Sequence, residues 1–192
     1  MHRPPARELL EEILMKSMFD MTLAGIVIVL IFPILILISI CILIDLKEFP
    51  IFFQRRIGYK EKTFLLFKFK TMVSVSETRI TNSDRITRFG SFLRSSSLDE
   101  LPSLLNIVIG DMSFVGPRPL LVEYLAVFKK KHRARHMVKP GLTGLAQING
   151  RNKTTWDRRL DLDIQYVEAR SFLLDLKVIF RTIIKILKRS GV

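Results

Sequence analysis

The chain has 192 residues, which is enough for one compact domain and a membrane segment but excludes two large domains. A net charge of +13 combined with a positive mean hydropathy of +0.27 is unusual for a soluble globular protein and indicates contact with an anionic membrane surface. Nucleic-acid binding is disfavoured, because the Lys and Arg residues are spread along the chain and no nucleic-acid motif is present.

The first predicted element is an apolar helix. No residue from Met21 to Ile44 is charged, and Leu, Ile and Val dominate this run. Its length meets the requirement of about 20 residues for a helix that crosses the hydrocarbon core. A cleavable signal peptide is disfavoured, because the run is long, begins well inside the chain and is not followed by a cleavage site of small residues. The only cysteine, Cys41, lies within the run, so an intrachain disulfide is excluded.

Pro33 gives this helix two possible placements in the membrane. Proline removes a backbone donor, so the helix either kinks and spans the bilayer, or breaks and returns to the same face. The length of the run favours spanning. The charge pattern favours two cytoplasmic ends, because cations flank the run on both sides: Arg3, Arg7 and Lys16 before it, and Lys47, Arg55, Arg56, Lys60 and Lys62 after it.

A β-hairpin is predicted next, over residues 50–72. Two stretches rich in Phe and Ile flank a polar turn there. Lys68 and Lys70 alternate with Phe69, so we expect one face of the second strand to be buried and the other to meet water or anions.

Three further helices are predicted after the hairpin. Apolar spacing indicates helices over 86–94 and 101–109, and Gly110 is placed to end the second. Residues 172–189 form a basic amphipathic pattern, with Lys and Arg at spacings of three or four. Such a helix either packs on the core of its own domain or lies in the headgroup layer, and the pattern leaves both alternatives open.

The adjacent carboxylates Asp99 and Glu100 have a structural and a catalytic interpretation. The sequence Ser97-Leu98-Asp99-Glu100 matches a capping box, in which Glu100 bonds to the amide of the N-cap residue. Pro102 argues against that cap, because proline fits the first helical position better, which would place the acidic pair just ahead of the helix.

Nearby arginines could turn this acidic pair into a phosphate site. Four of them come from turn-rich or neighbouring segments that can converge on it: Arg88, Arg94, Arg118 and Arg151. Any one of them alone would be a surface ion pair that contributes little. Together with free amides at a helix start they would bind phosphate. Carboxylates beside such a cationic pocket suit attack on, or metal-assisted handling of, a phosphate anhydride.

A family resemblance is carried by two long motifs, LRSSSLDELPSLLNIVIGDMSFVGPRPLLVEY and KPGLTGLAQINGR. From about Lys16 to its C-terminus the chain resembles the bacterial sugar transferases, and more narrowly the small monotopic phosphoglycosyl transferases of the PglC type. The resemblance implies transfer of a phosphosugar from a UDP-sugar to a polyprenol phosphate such as undecaprenyl phosphate, with Mg²⁺ present and UMP released.

The resemblance also implies roles for individual residues. Asp99 would be the nucleophile of a covalent phosphosugar intermediate and a Mg²⁺ ligand, with Glu100 as its partner. Arg94 and Arg118 would contact phosphates. The full set of expected substrate-binding residues is Lys70, Arg88, Arg94, Arg118 and Arg151, the last on the nucleotide side. Two alternatives stay open: direct attack by the lipid phosphate with Asp99 only as a metal ligand, and a non-catalytic basic scaffold at the membrane.

The resemblance implies a re-entrant membrane helix with both termini in the cytoplasm. In the family this helix breaks at a Ser-Pro pair, for which Phe32-Pro33 stands here. We therefore expect a mainly helical α+β fold. Residues 1–48 would hold the re-entrant helix, broken at Pro33, and residues 49–192 a small cytoplasmic catalytic domain with a β-hairpin and amphipathic interfacial helices. The expected location is the cytoplasmic face of the bacterial inner membrane, in contact with anionic lipids.

Overall fold

One long helix, α1, forms the N-terminal part of the protein. A computed structural model describes residues 6–75, 81–150 and 155–188. Within these residues α1 spans Ala6–Leu46, and its segment Ile13–Leu46 is the one stretch long and apolar enough to cross a membrane. The predicted break at Pro33 is wrong in one respect: α1 stays helical through that residue. Proline costs a helix one hydrogen bond, and the packing of α1 described below offsets that loss.

The predicted β-hairpin is confirmed. Strand β1 (Ile51–Ile57) pairs antiparallel with strand β2 (Thr63–Phe69), and a 3₁₀ turn at Tyr59–Glu61 lies between them. The register places Ile51 opposite Phe69 and Ile57 opposite Thr63. Phe64 and Leu66 of β2 are buried while the intervening Leu65 is exposed, as the alternation of a strand requires.

Short helical elements follow the hairpin. They are α2 (Asn82–Arg85), α3 (Arg88–Ser95), a 3₁₀ helix (Leu98–Ser103) and α4 (Leu104–Ile109). The helix predicted over 86–94 corresponds to α3, which begins after Thr87 because the Thr87 side chain accepts a hydrogen bond from the Gly90 amide. The helix predicted over 101–109 is divided between the 3₁₀ helix and α4. Gly110 ends α4 in the left-handed conformation, with φ 94°, as predicted.

The 3₁₀ helix and α4 lie along one edge of strand β2. Asn106 takes the place of a neighbouring strand, since its Nδ2 donates to the Leu65 carbonyl at 2.6 Å and its Oδ1 accepts from the Phe67 amide at 3.0 Å. The Ser103 hydroxyl donates to the Phe67 carbonyl at 2.7 Å. Asn106 and Ser103 are both buried. These bonds satisfy backbone groups of β2 and hold residues 98–103 against the strand.

The second half of the chain is built on a short parallel strand pair, β3 (Ser113–Val115) with β4 (Gly141–Thr143). Between these strands lie 3₁₀ helices at Val122–Ala126 and Lys130–Met137. The helices that follow are α5 (Leu145–Ile148), α6 (Trp156–Ala169) and α7 (Phe172–Leu187). Val115 of β3 is buried against Tyr166 and Val178. The fold is therefore mainly helical with small two-stranded sheets, as the sequence predicts.

Both halves of α1 pack on the rest of the chain. Before Pro33, Ala24 is fully buried in a cluster with residues of β2 and α4: Phe64, Leu66, Leu104 and Ile107, with Met112 beyond α4. After Pro33, α1 buries a second set against β2 and α3: Ile38, Ile42 and Leu46, with Phe69 and Leu93. The opposite face of α1 exposes large apolar side chains, such as Val29 at 74% and Leu30 at 72%.

Helix α7 packs on the core and also exposes apolar residues. Val178 and Asp175 are buried against the domain, so core packing is confirmed for this helix. Exposed apolar side chains remain on it, including Phe172, Leu173, Phe180, Ile183 and Leu187. These side chains are available for contact with a membrane surface.

Candidate active site

The acidic pair lies in the 3₁₀ helix and not in a capping box. Ser97 adopts the left-handed conformation, with φ 59° and ψ 15°, and its side chain makes no capping hydrogen bond. Pro102 lies inside the 3₁₀ helix, not at the first position of α4 as predicted. Asp99 and Glu100 precede α4, as the catalytic interpretation predicts. The structural interpretation as a cap is wrong, because Glu100 turns to cations instead of the Ser97 amide.

Two cations hold the carboxylate of Glu100. Lys68 Nζ of β2 donates to Glu100 Oε1 at 2.6 Å, and Arg118 donates from NH2 to the same oxygen at 2.9 Å. The Glu100 side chain is 16% exposed. Burial by itself would raise the pKa of Glu100, but the charges of Arg118 and Lys68 and their hydrogen bonds lower it to about 2. Glu100 is therefore ionised and fully engaged with protein cations.

Asp99 has a different environment from its neighbour. Its Oδ2 lies 3.8 Å from Lys68 Nζ, which is an ion-pair distance but too long for a hydrogen bond. Throughout the described part of the chain, no side chain or backbone amide donates a hydrogen bond to this carboxylate. Burial raises the pKa of Asp99, with the Glu100 charge adding to the rise and Lys68 opposing it. The carboxylate is thus available to a ligand or an electrophile.

A turn built on glycine and a buried ion pair positions Arg118. Gly116 lies so close to the chain before β4 that a Cβ atom there would come within 2.4 Å of the Lys139 carbonyl oxygen. Arg135 NH2 donates to the Arg118 carbonyl at 2.7 Å, and its guanidinium also binds Asp163 Oδ2 at 2.8 and 3.0 Å. Arg135 and Asp163 are almost completely buried. The backbone at Arg118 is therefore held by the buried Arg135, which is itself paired with the buried Asp163.

The acidic pair opens into a cleft of about 930 Å³. Five of the residues predicted for the site line it: Lys70, Arg94, Asp99, Glu100 and Arg118. Arg94 Nε donates to Thr71 Oγ1 at 2.8 Å, which directs its guanidinium along the wall. Lys70 pairs with Glu48, two residues after the end of α1, and donates to Ser74 Oγ at 3.3 Å.

Two predicted residues are not found in the cleft. Arg88 is exposed at the start of α3 and is absent from the cleft lining. Arg88 and Arg94 are six residues apart, about 240° around a helix, so both cannot face the same site. Arg151 lies outside the described residues.

Several cleft residues were missed by the sequence prediction. Lys68 is the most important, because it contacts both carboxylates of the acidic pair. Its alternation with Phe69 places it on the same strand face as Lys70, but the spacing does not say which lysine reaches the acidic pair. A second group lines the cleft from α5, α6 and the 3₁₀ segments: Arg135, Gln147, Trp156, Arg159 and Asp163. No local motif identified these residues as binding residues.

The carboxylates fit Mg²⁺ only in combination with substrate oxygens. Within residues 6–75, 81–150 and 155–188, no three His, Cys, Asp or Glu side chains cluster to form a metal cage. Mg²⁺ commonly takes one or two carboxylates and completes its octahedron with phosphate oxygens and water. Asp99 is the carboxylate that could serve as such a ligand, because no described group donates a hydrogen bond to it. Glu100, in contrast, already binds Lys68 and Arg118.

Comparison with known proteins identifies the family. The family described as bacterial sugar transferase matches residues 11–189. EpsL, an uncharacterized sugar transferase of Bacillus subtilis (strain 168), is 42% identical over 183 residues, which cover 93% of this chain and 90% of EpsL. The exopolysaccharide production protein ExoY of Rhizobium meliloti (strain 1021) is 34% identical over 188 residues, covering 88% of this chain and 83% of ExoY.

A larger relative has a named reaction. The UDP-glucose:undecaprenyl-phosphate glucose-1-phosphate transferase of Klebsiella pneumoniae is 39% identical over 183 residues, which cover 88% of this chain but 39% of that protein. The chain therefore spans about two fifths of the length of this relative. Since the family match extends over nearly the whole sequence, the chain belongs to the bacterial sugar transferase family.

Proposed function

We propose that this transferase moves a phosphosugar from a UDP-sugar to a polyprenol phosphate, with release of UMP, through a covalent intermediate on Asp99. The observation that carries the proposal is the unequal acidic pair, in which Glu100 is bound by Lys68 and Arg118 while Asp99 has no hydrogen-bond donor. The reaction named for the Klebsiella pneumoniae relative supports the substrate classes.

In the first step, an oxygen of Asp99 attacks the β-phosphorus of the donor. A bond forms between that oxygen and phosphorus, the bond to the bridging oxygen breaks, and UMP leaves with the electron pair. In the second step, an oxygen of the lipid phosphate attacks the same phosphorus, and the Asp99 carboxylate is released unchanged. A polyprenyl diphosphosugar is the product. Two displacements allow a water-soluble donor and a lipid acceptor to use one site in turn.

The cations of the cleft reduce the repulsion between a carboxylate and a diphosphate. Lys68 and Arg118 lie beside Asp99 through their contacts with Glu100, and Arg94 lines the same cleft. Fixed positive charges of this kind stabilise the charge that develops on a leaving phosphate. Mg²⁺, when bound by Asp99 and phosphate oxygens, would supply further neutralisation of that charge. Arg135 keeps the Arg118 backbone in place and so acts as a positioning residue.

We further propose a modified re-entrant placement, in which α1 stays helical through Pro33 and both of its ends lie on the cytoplasmic face of the membrane. Both flanks of the uncharged run contact the same globular part: Ser113 Oγ donates to Asp20 at 2.5 Å, and Thr87 Oγ1 donates to Asp45 at 2.6 Å. A spanning helix would separate its flanks by about 30 Å of hydrocarbon. One domain on one side of the membrane could not then reach both flanks. This argument favours the re-entrant alternative over the spanning one.

The test of the reaction is Asp99→Asn, assayed for UMP release from UDP-sugars in detergent or nanodiscs. We expect at least about a 10³-fold loss of turnover, because an amide is neither a nucleophile nor an anionic ligand. Wild-type protein incubated with UDP-sugar alone should gain the mass of a phosphosugar on the peptide that contains Asp99. Asp157→Asn is the matched control, because Asp157 is 66% exposed and lies outside the cleft lining.

The same assay separates the alternatives. Direct attack by the lipid phosphate predicts product formation without a mass adduct and UMP release only when the lipid is present. Full turnover by Asp99→Asn would exclude Asp99 as the nucleophile. A non-catalytic scaffold predicts no UMP release by the wild type with any UDP-sugar.

A further inference from the structure

Among the described residues, buried polar atoms without partners are concentrated in the cleft, and most of them belong to α5 and α6. In the described part of the chain, seven buried side-chain nitrogen or oxygen atoms lack a hydrogen-bond partner, and five of them belong to residues that line the cleft. These five are Arg56 Nε, both amide atoms of Gln147, Arg159 Nε and Asp163 Oδ1. Buried polar groups in native proteins are nearly always satisfied, so such a concentration indicates that a ligand supplies the partners.

Gln147 is the most informative member of this group. Gln147 lines the cleft and is only 6% exposed. Among the described residues, none forms a hydrogen bond with the nitrogen or the oxygen of its side-chain amide. Gly144 gives the amide its space, since a Cβ atom at position 144 would approach Gln147 Oε1 to 2.7 Å. The absence of a side chain at Gly144 therefore leaves space for the Gln147 amide, although the described residues give this amide no hydrogen-bond partner.

Helix α6 completes this end of the cleft. Arg159 and Asp163 are four residues apart and so lie on one face of α6, which packs on the α5 helix that carries Gln147. The Arg159 guanidinium lies over the Trp156 ring at 5.5 Å from its centroid, and the Trp156 ring also contacts Tyr124, with 4.8 Å between centroids. This part of the cleft therefore combines the flat aromatic surface of Trp156 with hydrogen-bond donors on Gln147 and Arg159 and acceptors on Gln147 and Asp163.

We propose that this end of the cleft binds the uracil base of the donor, with Gln147 hydrogen-bonded to the imide edge of the base. The base N3–H would donate to Gln147 Oε1, and Gln147 Nε2 would donate to a base carbonyl, while Trp156 offers a surface for stacking. The inference rests on the proposed function, because it takes a UDP-sugar as the donor.

The chemistry of the two ends favours the base over the other parts of the donor. Phosphates suit the end with Lys68, Arg94 and Arg118, where cations dominate. The sugar is joined to the phosphorus that Asp99 attacks, so it lies next to the acidic pair. The base is separated from that phosphorus by the ribose and a second phosphate. Gln147 lies on a different set of elements from the pair, since the 3₁₀ helix of Asp99 packs on β2, α3 and α4, whereas α5 packs on α6 and α7.

The test is a binding titration of the full chain in detergent, followed by the fluorescence of Trp156, which is the only tryptophan of the chain. UMP is compared with ribose 5-phosphate, which lacks the base, and with glucose 1-phosphate, which lacks the nucleoside. The variant is Gln147→Met, which is close in size but cannot form the two hydrogen bonds. We expect quenching by UMP and about a tenfold weaker UMP affinity in the variant, with unchanged affinities for the other two compounds. Gln165→Met, on an exposed face of α6, is the control and should bind UMP as the wild type does.

Thermal unfolding without ligand gives a second measurement. A structural glutamine would be needed for stability, whereas an amide reserved for a ligand can be replaced by Met without lowering the melting temperature. Equal UMP affinities of wild type and Gln147→Met would overturn the inference, and so would a selective loss of glucose 1-phosphate binding, which would place the sugar at this end. If the inference alone fails, UMP release from UDP-sugar persists in the wild type. If the wild type neither binds UMP nor releases it, the proposed function fails as well.

Discussion

The two carboxylates of the acidic pair are chemically unlike although they are neighbours in the chain. Glu100 has a pKa of about 2, because Arg118 and Lys68 overcome its burial, while burial raises the pKa of Asp99. The difference arises from contacts: Lys68 and Arg118 both donate hydrogen bonds to Glu100, whereas Lys68 lies 3.8 Å from Asp99. One residue can then anchor the cations while the other reacts.

Arg135 supports this arrangement from a buried position, so its removal should destabilise the protein. Arg135→Met leaves the Asp163 carboxylate buried without its cation, and we expect a loss of roughly 3 kcal/mol in the free energy of unfolding, measured by denaturant titration. The double variant Arg135→Met/Asp163→Leu should recover most of that loss, because no charge is then left unpaired. A single variant as stable as the wild type would contradict the buried ion pair.

His136, next in the chain, makes stability depend on pH. Burial and the neighbouring Arg135 and Arg133 lower the pKa of His136 from 6.5 to about 4. Between these values the unfolded chain binds a proton that the folded chain does not, so stability is complete above about pH 6.5 and falls as the pH decreases toward 4. The expected loss is up to about 3 kcal/mol. His136→Gln should flatten this part of the curve of unfolding free energy against pH. An unchanged slope would show that other groups cause it.

At the scale of elements, strand β2 connects α1 to the 3₁₀ helix that carries the acidic pair. One part of β2 buries Phe64, Leu66 and Phe69 against α1, and its edge receives Asn106 and Ser103 from the segment after Asp99. Lys68 lies on the same strand and reaches both carboxylates. The acidic pair is therefore positioned relative to α1 through β2 and also through the direct packing of α1 on α4.

Asn106→Leu should remove the hydrogen bonds that hold α4 against the edge of β2. The Leu65 carbonyl and the Phe67 amide would lose their partners, and a cost of about 3 kcal/mol in unfolding free energy is expected. Turnover should fall as well, because the 3₁₀ helix would no longer be held at its distance from Lys68. The exposed substitution Gln165→Leu should change stability by less than about 0.5 kcal/mol. If Asn106→Leu behaves like that control, the side chain does not secure the strand edge.

At the scale of the whole molecule, one surface is apolar on several elements. The exposed faces of α1 and α7 carry large aliphatic and aromatic side chains, and Phe49, just before the hairpin, and Phe53 of β1 are also exposed. A soluble monomer rarely presents so much apolar surface, whereas a protein inserted into one leaflet requires it. Under the proposed placement of α1, the excess of basic residues would add attraction to anionic headgroups.

Cysteine labelling tests the placement of α1. In a Cys41→Ser background, single cysteines replace Glu11, an exposed residue of α1, and Lys131, an exposed residue of the globular part. A re-entrant helix predicts that a membrane-impermeant maleimide labels neither site in intact spheroplasts and both after permeabilisation. Labelling of Glu11→Cys in intact spheroplasts, with Lys131→Cys protected, would show that α1 spans the membrane.

Local patterns were sufficient for several elements. The apolar run predicted α1, the alternation over 50–72 predicted the hairpin, and Gly110 marked the end of α4. These features depend on residues close together in the chain, where spacing and backbone conformation are decisive. The capping box at Ser97 was misleading for the same reason, because a local pattern cannot include Lys68, which is 32 residues from Glu100.

The sequence by itself determined that this protein has a long apolar helix, a hairpin and an acidic pair among arginines, since periodicity and motif order are local properties. Only the tertiary structure decided which cations meet the pair: Lys68 and Arg118 bind Glu100, and Arg88 is exposed and does not line the cleft. It also brought Gln147, Trp156 and Asp163 together in the lining of the cleft. These groupings depend on how separate elements pack. Contacts between segments that are distant in the sequence produce no repeating residue pattern from which they could be predicted.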